Sequence, residues 1–351
     1  LKLCFARSVT MPTSHRWLPT LPESERVHDI ALDHSGGRLA ICTSSHRISI
    51  YSAPSESAPW VETGRIDEAH AAPICRVSWA HPDYGSLLAS CSEDGTVAIW
   101  TPTGRASGRK SGSLLGSAGD SLPSWSLRAS LSWELSVAIV DVCFSPPVHG
   151  CKVAACSAQG DVRVFECMSS FDLRKWDHED LESIAHPLST GGAVATLDWR
   201  GASLHDSENE TLVVAGRTGQ LAIWEKSGRR GRWAEVASVD AHPEADGVQD
   251  VAWCPNLWRS YEIIATCGAG AALWRADFTN VDSEFRRVCK VQLLETLVSS
   301  TDDTCPVWRC SWNLTGTMLA LSSDRQALSV WKSTASQSWK RDEEMVARSI
   351  V

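Results

Sequence analysis

One segment pattern recurs six times along the chain, and that recurrence limits the possible fold more than any other feature. Each copy has an alternating apolar strand, a turn, a strand rich in small residues, a tight polar turn, and a third strand closed by an aromatic. The clearest copy reads Arg76-Val77-Ser78-Trp79-Ala80-His81-Pro82, then Leu87-Leu88-Ala89-Ser90-Cys91-Ser92-Glu93-Asp94-Gly95-Thr96-Val97-Ala98-Ile99-Trp100. The first runs from His28 to Tyr51, the third from Asp141 to Phe165 and the fourth from Ala195 to Trp224. The fifth runs from Gln249 to Trp274 and the sixth from Trp308 to Trp331. The closing aromatics have a mean spacing of 56 residues, and a weaker fourth strand is read after several of them, at 60–66, 125–131, 233–239 and 288–294.

Four strands per unit, repeated with almost no helical periodicity, is the arithmetic of a β-propeller. The spacing exceeds the roughly 40–45 residues of an ordinary blade, so the loops must carry insertions. A chain of unrelated β-sandwich hairpins is the competing reading, but it would not repeat the small-residue strand and the closing aromatic in one order. Composition agrees with a repeated aromatic role, since 17 Trp stand against 6 Phe and 3 Tyr. Alternation in Val97-Ala98-Ile99-Trp100 sends neighbouring side chains to opposite faces of a sheet covered on both sides. Small residues such as Ala89, Ser90 and Cys91 permit close approach near the axis, and the bulky Trp fills the wider outer space.

The units resemble WD-repeats, although the Trp that closes a unit is followed by Thr101, Glu225, Arg275 or Lys332 and never by Asp. That resemblance implies a structural hydrogen-bond chain through His70, Ser90, Asp94 and Trp100, with His186 and His242 as the same loop histidine in later units. Buried polar groups of this kind must be paired. More narrowly, the chain is similar to the Sec-thirteen and Seh family of six-bladed propellers. Trp79-Ala80-His81-Pro82-Asp83-Tyr84-Gly85-Ser86-Leu87-Leu88 carries the family likeness, and Val307-Trp308-Arg309-Cys310-Ser311-Trp312-Asn313-Leu314-Thr315-Gly316 and Val248-Gln249-Asp250-Val251-Ala252-Trp253-Cys254-Pro255-Asn256-Leu257 resemble its Seh branch. The likeness spans about Val27 to Lys340. The fifth unit departs from it with Gly268-Ala269-Gly270 where a turn Asp is expected, which implies an incomplete hydrogen-bond chain there, and the first departs with Ser45-His46.

The resemblance implies an all-β, open, six-bladed WD-repeat propeller to which a helical scaffold nucleoporin donates a seventh blade. Its domain plan is an extension over 1–26, one propeller over 27–346 with a long Ser/Gly-rich loop at 101–136, and a tail over 347–351. The expected partner-binding flanks are Ile30, Leu32, Leu39, Ile48 and Ile50 in the first unit and Trp312, Leu319, Leu328 and Val330 in the sixth. Strand addition would satisfy the open edges and fill the cleft; a self-closed ring, with these residues packed on each other, is the alternative. The family function is architectural: a scaffold subunit of the Y-shaped outer ring of the nuclear pore, alongside other Y-complex nucleoporins, and of a second coat-like complex at the vacuole or lysosome that regulates nutrient signalling. A vesicle-coat (COPII) propeller and a free-standing peptide-docking propeller are the other readings.

Chemistry of other kinds finds little support. Gly-x-Ser-x-Gly, Gly-x-x-x-x-Gly-Lys and His-Glu-x-x-His are absent from the sequence, so no cofactor is expected and catalysis would need a Cys–His pair meeting in space. The 13 Cys include no Cys-x-x-Cys pair, the usage of a reduced compartment where Cys fills core space. Cys151 with Cys156, or Cys305 with Cys310, has loose zinc spacing, yet Cys156 and Cys310 fall in strands. A net charge of −9 offers no global attraction for nucleic acid. Arg105, Arg109 and Lys110, and likewise Arg229, Arg230 and Arg232, read as solvated loop charges; Ser107, Ser111 and Ser113 are potential phosphorylation sites. None of the six unit endings has the Trp-Asp-x-Arg pattern of ubiquitin-ligase receptors. No apolar run is long enough to span a bilayer. Leu1 to Val9 lacks the long core of a signal peptide, so a non-secreted chain is expected, with Asn209-Glu210-Thr211 and Asn313-Leu314-Thr315 unglycosylated.

Overall fold

In the computed structural model, 24 strands form six four-stranded antiparallel sheets, each built from strands consecutive in sequence. The structure describes residues 25–53, 58–103, 124–133, 137–169, 172–181, 194–201, 209–226, 231–242, 247–280, 287–298, 306–323, 328–334 and 338–342. Blade 1 is β1 (Val27–Leu32), β2 (Arg38–Thr43), β3 (Ile48–Ser52) and β4 (Val61–Ile66); blade 2 is β5 (Ile74–Trp79), β6 (Leu88–Ser92), β7 (Thr96–Pro102) and β8 (Trp125–Ser132). Blade 3 is β9 (Ile139–Phe144), β10 (Lys152–Ser157), β11 (Val162–Cys167) and β12 (Trp176–Asp180); blade 4 is β13 (Val194–Trp199), β14 (Glu210–Gly216), β15 (Gln220–Lys226) and β16 (Trp233–Asp240). Blade 5 is β17 (Val248–Trp253), β18 (Glu262–Gly268), β19 (Ala271–Asn280) and β20 (Arg287–Val298); blade 6 is β21 (Val307–Trp312), β22 (Met318–Ser323), β23 (Leu328–Ser333) and β24 (Trp339–Arg341). The expected fourth strands are all present, and β8 occupies part of the 101–136 stretch read as a loop.

The first strand of each blade is the innermost, and each carries the same irregularity. A register shift lies between its first and third residues: Val27/Asp29, Ile74/Arg76, Ile139/Asp141, Val194/Thr196, Val248/Asp250 and Val307/Arg309. A bulge re-aims the side chain that follows it. Here it assembles six equivalent residues, Asp29, Arg76, Asp141, Thr196, Asp250 and Arg309, around the axis. Arg76 is buried, with Nη2 2.9 Å from Asp250 Oδ1, Nε 3.5 Å from Asp141 Oδ1 and Nη1 3.9 Å from Asp29 Oδ1. The Thr196 hydroxyl lies 2.9 Å from Asp141 Oδ2 and 3.2 Å from Asp250 Oδ1. Burial alone would lower the Arg76 pKa; Asp141, Asp250 and Asp29 outweigh it and push it well up. Arg309, a third exposed at 34%, approaches Asp250 only to 3.9 Å.

Directly behind the axial ring, the cross-strand partners of its members are small: Cys42, Cys91, Cys156, Ala215, Cys267 and Ser322. This is the packing role expected for Cys in such strands. Outside the axis, strand alternation builds five apolar cores, one between each of blades 1 and 2, 2 and 3, 3 and 4, 4 and 5, and 5 and 6. Close approach shapes a few backbone positions. Gly316, at φ +63°, would place a Cβ 2.1 Å from Pro255 O of the neighbouring blade, so any side chain there clashes.

Breaking a buried ion pair strands the partner charges and costs about 3–5 kcal/mol. Arg76→Met is therefore expected to lower unfolding stability by about that amount, and Arg309→Met by about 1 kcal/mol or less. Urea unfolding of the two variants distinguishes them; equal losses would remove Arg76 from its central role.

Candidate interaction site at the ring ends

The hydrogen bonds that link a side chain of one innermost strand to the backbone of the next follow an alternating rule. From each odd blade to the next even one, an axial Asp accepts a backbone N–H: Val77 N to Asp29 Oδ2, Leu197 N to Asp141 Oδ2 and Cys310 N to Asp250 Oδ2, each 3.1 Å. At the same joints a Trp indole N–H crosses back to a carbonyl: Trp79 to Ala31 at 3.0 Å, Trp199 to Cys143 at 3.2 Å and Trp312 to Ala252 at 3.0 Å. From each even blade to the next odd one, the acceptor moves two residues along. Phe144 N donates to Ser78 Oγ at 3.2 Å, and Trp253 N donates to Asp198 Oδ2 at 2.8 Å.

The joint between blades 6 and 1 differs. No sheet mixes strands from the two blades, and the close packing of innermost strands that links every other adjacent pair is missing there among the described residues. Two further apolar clusters each belong to one blade alone. Leu39, Ile41 and Tyr51 with Ile30, Leu32 and Trp60 lie on blade 1; Ala320 and Val330 with Met318 and Leu328 lie on blade 6. These are half-cores, each the single-blade counterpart of one side of a shared core.

Of the residues expected at the flanks, the structure places Ile30, Leu32, Leu39, Leu328 and Val330 in the half-cores. It corrects four others: Ile48 and Ile50 pack in the core between blades 1 and 2, and Trp312 and Leu319 in or against the core between blades 5 and 6. The reason is sheet alternation. Leu39 pairs with Tyr51 on one face of blade 1, whereas Ala40 pairs with Ile50 and Cys42 with Ile48 on the other. Ile41, Tyr51, Trp60, Met318 and Ala320 join the half-cores as well. Strand alternation from Leu39 to Ile41 and from Met318 to Ala320 was a signal for three of them, Tyr51 follows from its pairing with Leu39, and Trp60 has no such signal.

The polar chain of blade 2 is complete. His70 Nε2 lies 2.8 Å from Ser90 Oγ, Trp100 Nε1 donates to the same hydroxyl at 2.9 Å, and His70 Nδ1 lies 3.1 Å from Asp94 Oδ2. Blade 5 repeats most of it with Thr266, which lies 3.0 Å from His242 Nε2 and accepts from Trp274 Nε1 at 2.9 Å. In blades 4 and 6 the matching hydroxyl is replaced by Val214 and Leu321, and the indole nitrogens of Trp224 and Trp331 have no hydrogen-bond partner among the described residues. His186, Cys305, the serines 107, 111 and 113, and the basic residues 105, 109, 110, 229 and 230 lie outside the described residues.

Other chemistry is disfavoured by the environment. Burial pushes the thiols of Cys42, Cys91 and Cys156 well up and those of Cys151, Cys254 and Cys289 to about 12, so none supplies a thiolate nucleophile near neutral pH. Asp250, Cys267 and Cys310 lie close enough to share a metal ion. Asp250 is already taken by the Arg76 guanidinium and the Cys310 amide, a cationic neighbour that opposes a metal cation. A cleft of about 250 Å³ on blade 3 is lined by Lys152, Glu166, His178 and Glu179. Its cation is paired internally, Lys152 Nζ lying 2.7 Å from Glu210 Oε1 and 3.2 Å from Glu166 Oε2.

The family model described as "WD domain, G-beta repeat" matches residues 62–101, which hold the complete polar chain. Blade count, repeat and polar chain define the class: a WD-repeat β-propeller. Within it, the chain is similar to the SEH1 nucleoporins. Nucleoporin SEH1 of Xenopus tropicalis is 28% identical over 325 residues, covering 90% of this chain and 83% of its own length. Nucleoporin SEH1 of Homo sapiens is 27% identical over 329 residues, with 90% and 83% covered. A chain in the crystal structure of a mitotic checkpoint complex shares the fold alone, at a TM-score of 0.58 and 17% identity over 89% of this chain and 76% of its own.

Two outcomes follow, one from the polar chains and one from the buried histidines. Val214→Thr is expected to give Trp224 an acceptor and raise stability by about 0.5–1 kcal/mol, while Val213→Thr, on the opposite face, loses about 1–2 kcal/mol; chemical denaturation compares them. Stability is also expected to fall as pH drops from about 6.5 towards 4. Burial holds His149 down at about 4 and lowers His70 despite Asp94, so the unfolded chain binds protons first in that window. Replacing His149 with Leu should flatten part of that slope in unfolding measured across the range.

Proposed function

We propose that the chain is a non-enzymatic scaffold nucleoporin of the Y-shaped outer ring of the nuclear pore, whose gap between blades 6 and 1 receives a blade from a helical nucleoporin. One observation carries this reading. Six blades make five shared cores and two half-cores that share no residue. An inserted blade would cover both half-cores at once, and its strands would stand beside the innermost strands as another blade does. Similarity to the SEH1 nucleoporins supports a place in the nuclear pore. The mechanism is mechanical: a rigid propeller caps and stiffens a helical rod at the nuclear envelope, supporting passage of protein and mRNA. Other Y-complex nucleoporins are then indirect neighbours, and a coat-like complex at the vacuole or lysosome is a second place of work.

Affinity purification of the tagged chain should recover helical outer-ring nucleoporins. Ile30→Glu and Leu328→Glu, at half-buried rims of the two half-cores, are expected to cut that recovery by about tenfold or more. Leu293→Glu, on an exposed position of β20 at 54%, should leave it unchanged. Recovery of a vesicle-coat rod protein instead, or equal effects of all three changes, would reject the assignment.

A further inference from the structure

We propose that the Ser311 hydroxyl and the Leu32 amide are the two unfilled halves of a sixth inter-blade hydrogen-bond step, and that a guest strand fills both. The inference rests on the partner-blade reading above and specifies the chemistry the guest must present. It comes from the alternating rule. In even blades the acceptor toward the next blade is the fifth residue of the innermost strand, Ser78 in β5 and Asp198 in β13. Its donor is the sixth residue of the following innermost strand, Phe144 in β9 and Trp253 in β17.

Applied to the last joint, the rule names Ser311 in β21 and Leu32 in β1. Blade 6 thus keeps the same hydroxyl as blade 2 at the matching position. Yet no hydrogen bond joins Ser311 to Leu32, and both residues are half-buried. At the two equivalent filled joints the bond coincides with a shared apolar core. At this joint the bond and the shared core are missing together, and the two half-cores stay separate.

A guest strand completes the step on both sides. Toward blade 6 it offers a backbone N–H to Ser311 Oγ and apolar side chains to Ala320, Leu328 and Val330. Toward blade 1 it offers a short oxygen-bearing side chain, Ser or Asp as in the filled joints, to the Leu32 N–H. Its other side chains on that face meet Ile30, Leu32 and Leu39. The partner segment is therefore an extended strand, apolar on both faces, with one Ser or Asp at its blade 1 side.

Amide hydrogen exchange on the full chain, free and in the complex recovered by purification, tests this together with Ser311→Ala. In the free chain the Leu32 amide should exchange much faster than those of Phe144 and Trp253, and in the complex it should become protected. Ser311→Ala should weaken partner binding by roughly two- to tenfold, the worth of one hydrogen bond, and Ser311→Thr should restore it. Its unfolding midpoint should match the parent, whereas Ser78→Ala, at a filled joint, should lower it. A complex that forms with Leu32 unprotected and Ser311→Ala binding normally overturns this inference and leaves the partner reading standing. A Leu32 amide already slow in the free chain, and released by Ser311→Ala, overturns both, because the ring then closes on itself. Failure to recover any helical partner sinks the partner reading first and this step with it.

Discussion

The guanidinium of Arg76 joins opposite sides of the molecule. From the innermost strand of blade 2 it reaches Asp250 of blade 5 at 2.9 Å and stands beside Asp141 of blade 3 and Asp29 of blade 1. Three carboxylates crowd the axis, and without a buried cation among them their desolvation would be uncompensated. Buried ion pairs contribute little net stability relative to apolar packing, but they do fix geometry. In a ring whose circumference is interrupted, a strut across the diameter does what circumferential closure does elsewhere. The repeated bulge makes this possible, because without it the third residue of each innermost strand would keep the register of its neighbours.

The alternating hydrogen bonds of the innermost strands sort the joints into two kinds, those within and those between the pairs 1 and 2, 3 and 4, and 5 and 6. Within the pairs 1 and 2, 3 and 4, and 5 and 6, an Asp acceptor and a Trp indole bond act together. Between pairs, the backbone N–H of the next innermost strand meets Ser78 or Asp198, and between blades 4 and 5 the Thr196 hydroxyl also donates to Asp250. The interruption falls at a joint between pairs, the kind that lacks the crossing Trp indole bond. Breaking the ring within a pair would sacrifice both the axial Asp bond and the Trp indole bond.

Much of this was legible in the sequence. The six-fold pattern of small-residue strand, polar turn and closing aromatic is long and regular, so blade number and most strands follow from it. The chain through His70, Ser90, Asp94 and Trp100 was likewise readable, because its members recur at fixed positions in a turn and two strands. The flanks were only half legible. Ile48 and Ile50 are as apolar as Leu39, and nothing in composition separates them; only the register of β2 against β3 assigns them to opposite faces. The axial ring was not legible at all. Asp29, Arg76, Asp141, Thr196, Asp250 and Arg309 differ in chemistry, and their equivalence appears only once a bulge places each one residue past the shift. The fifth unit shows a further limit: loss of the turn Asp suggested a failed polar chain, yet Thr266 still links His242 to Trp274.

The distribution of polar chains agrees with this division of labour. They occur in blades 2 and 5, the two blades that Arg76 and Asp250 tie across the axis, so side-chain hydrogen bonding and the strut reinforce one diameter. In blade 1 the position of Ser90 is taken by Ile41, which faces the half-core with Leu39 and Tyr51. A hydroxyl there would need a fixed partner, and on the proposed reading that surface offers none until a guest blade covers it. An aliphatic side chain carries no such debt: it is tolerated against water at modest cost and gains fully when covered. The same reasoning accounts for keeping Ser311 at the rim, where its half-buried hydroxyl is not locked away from water. Polarity is retained where solvent can serve it and replaced by hydrocarbon where solvent cannot.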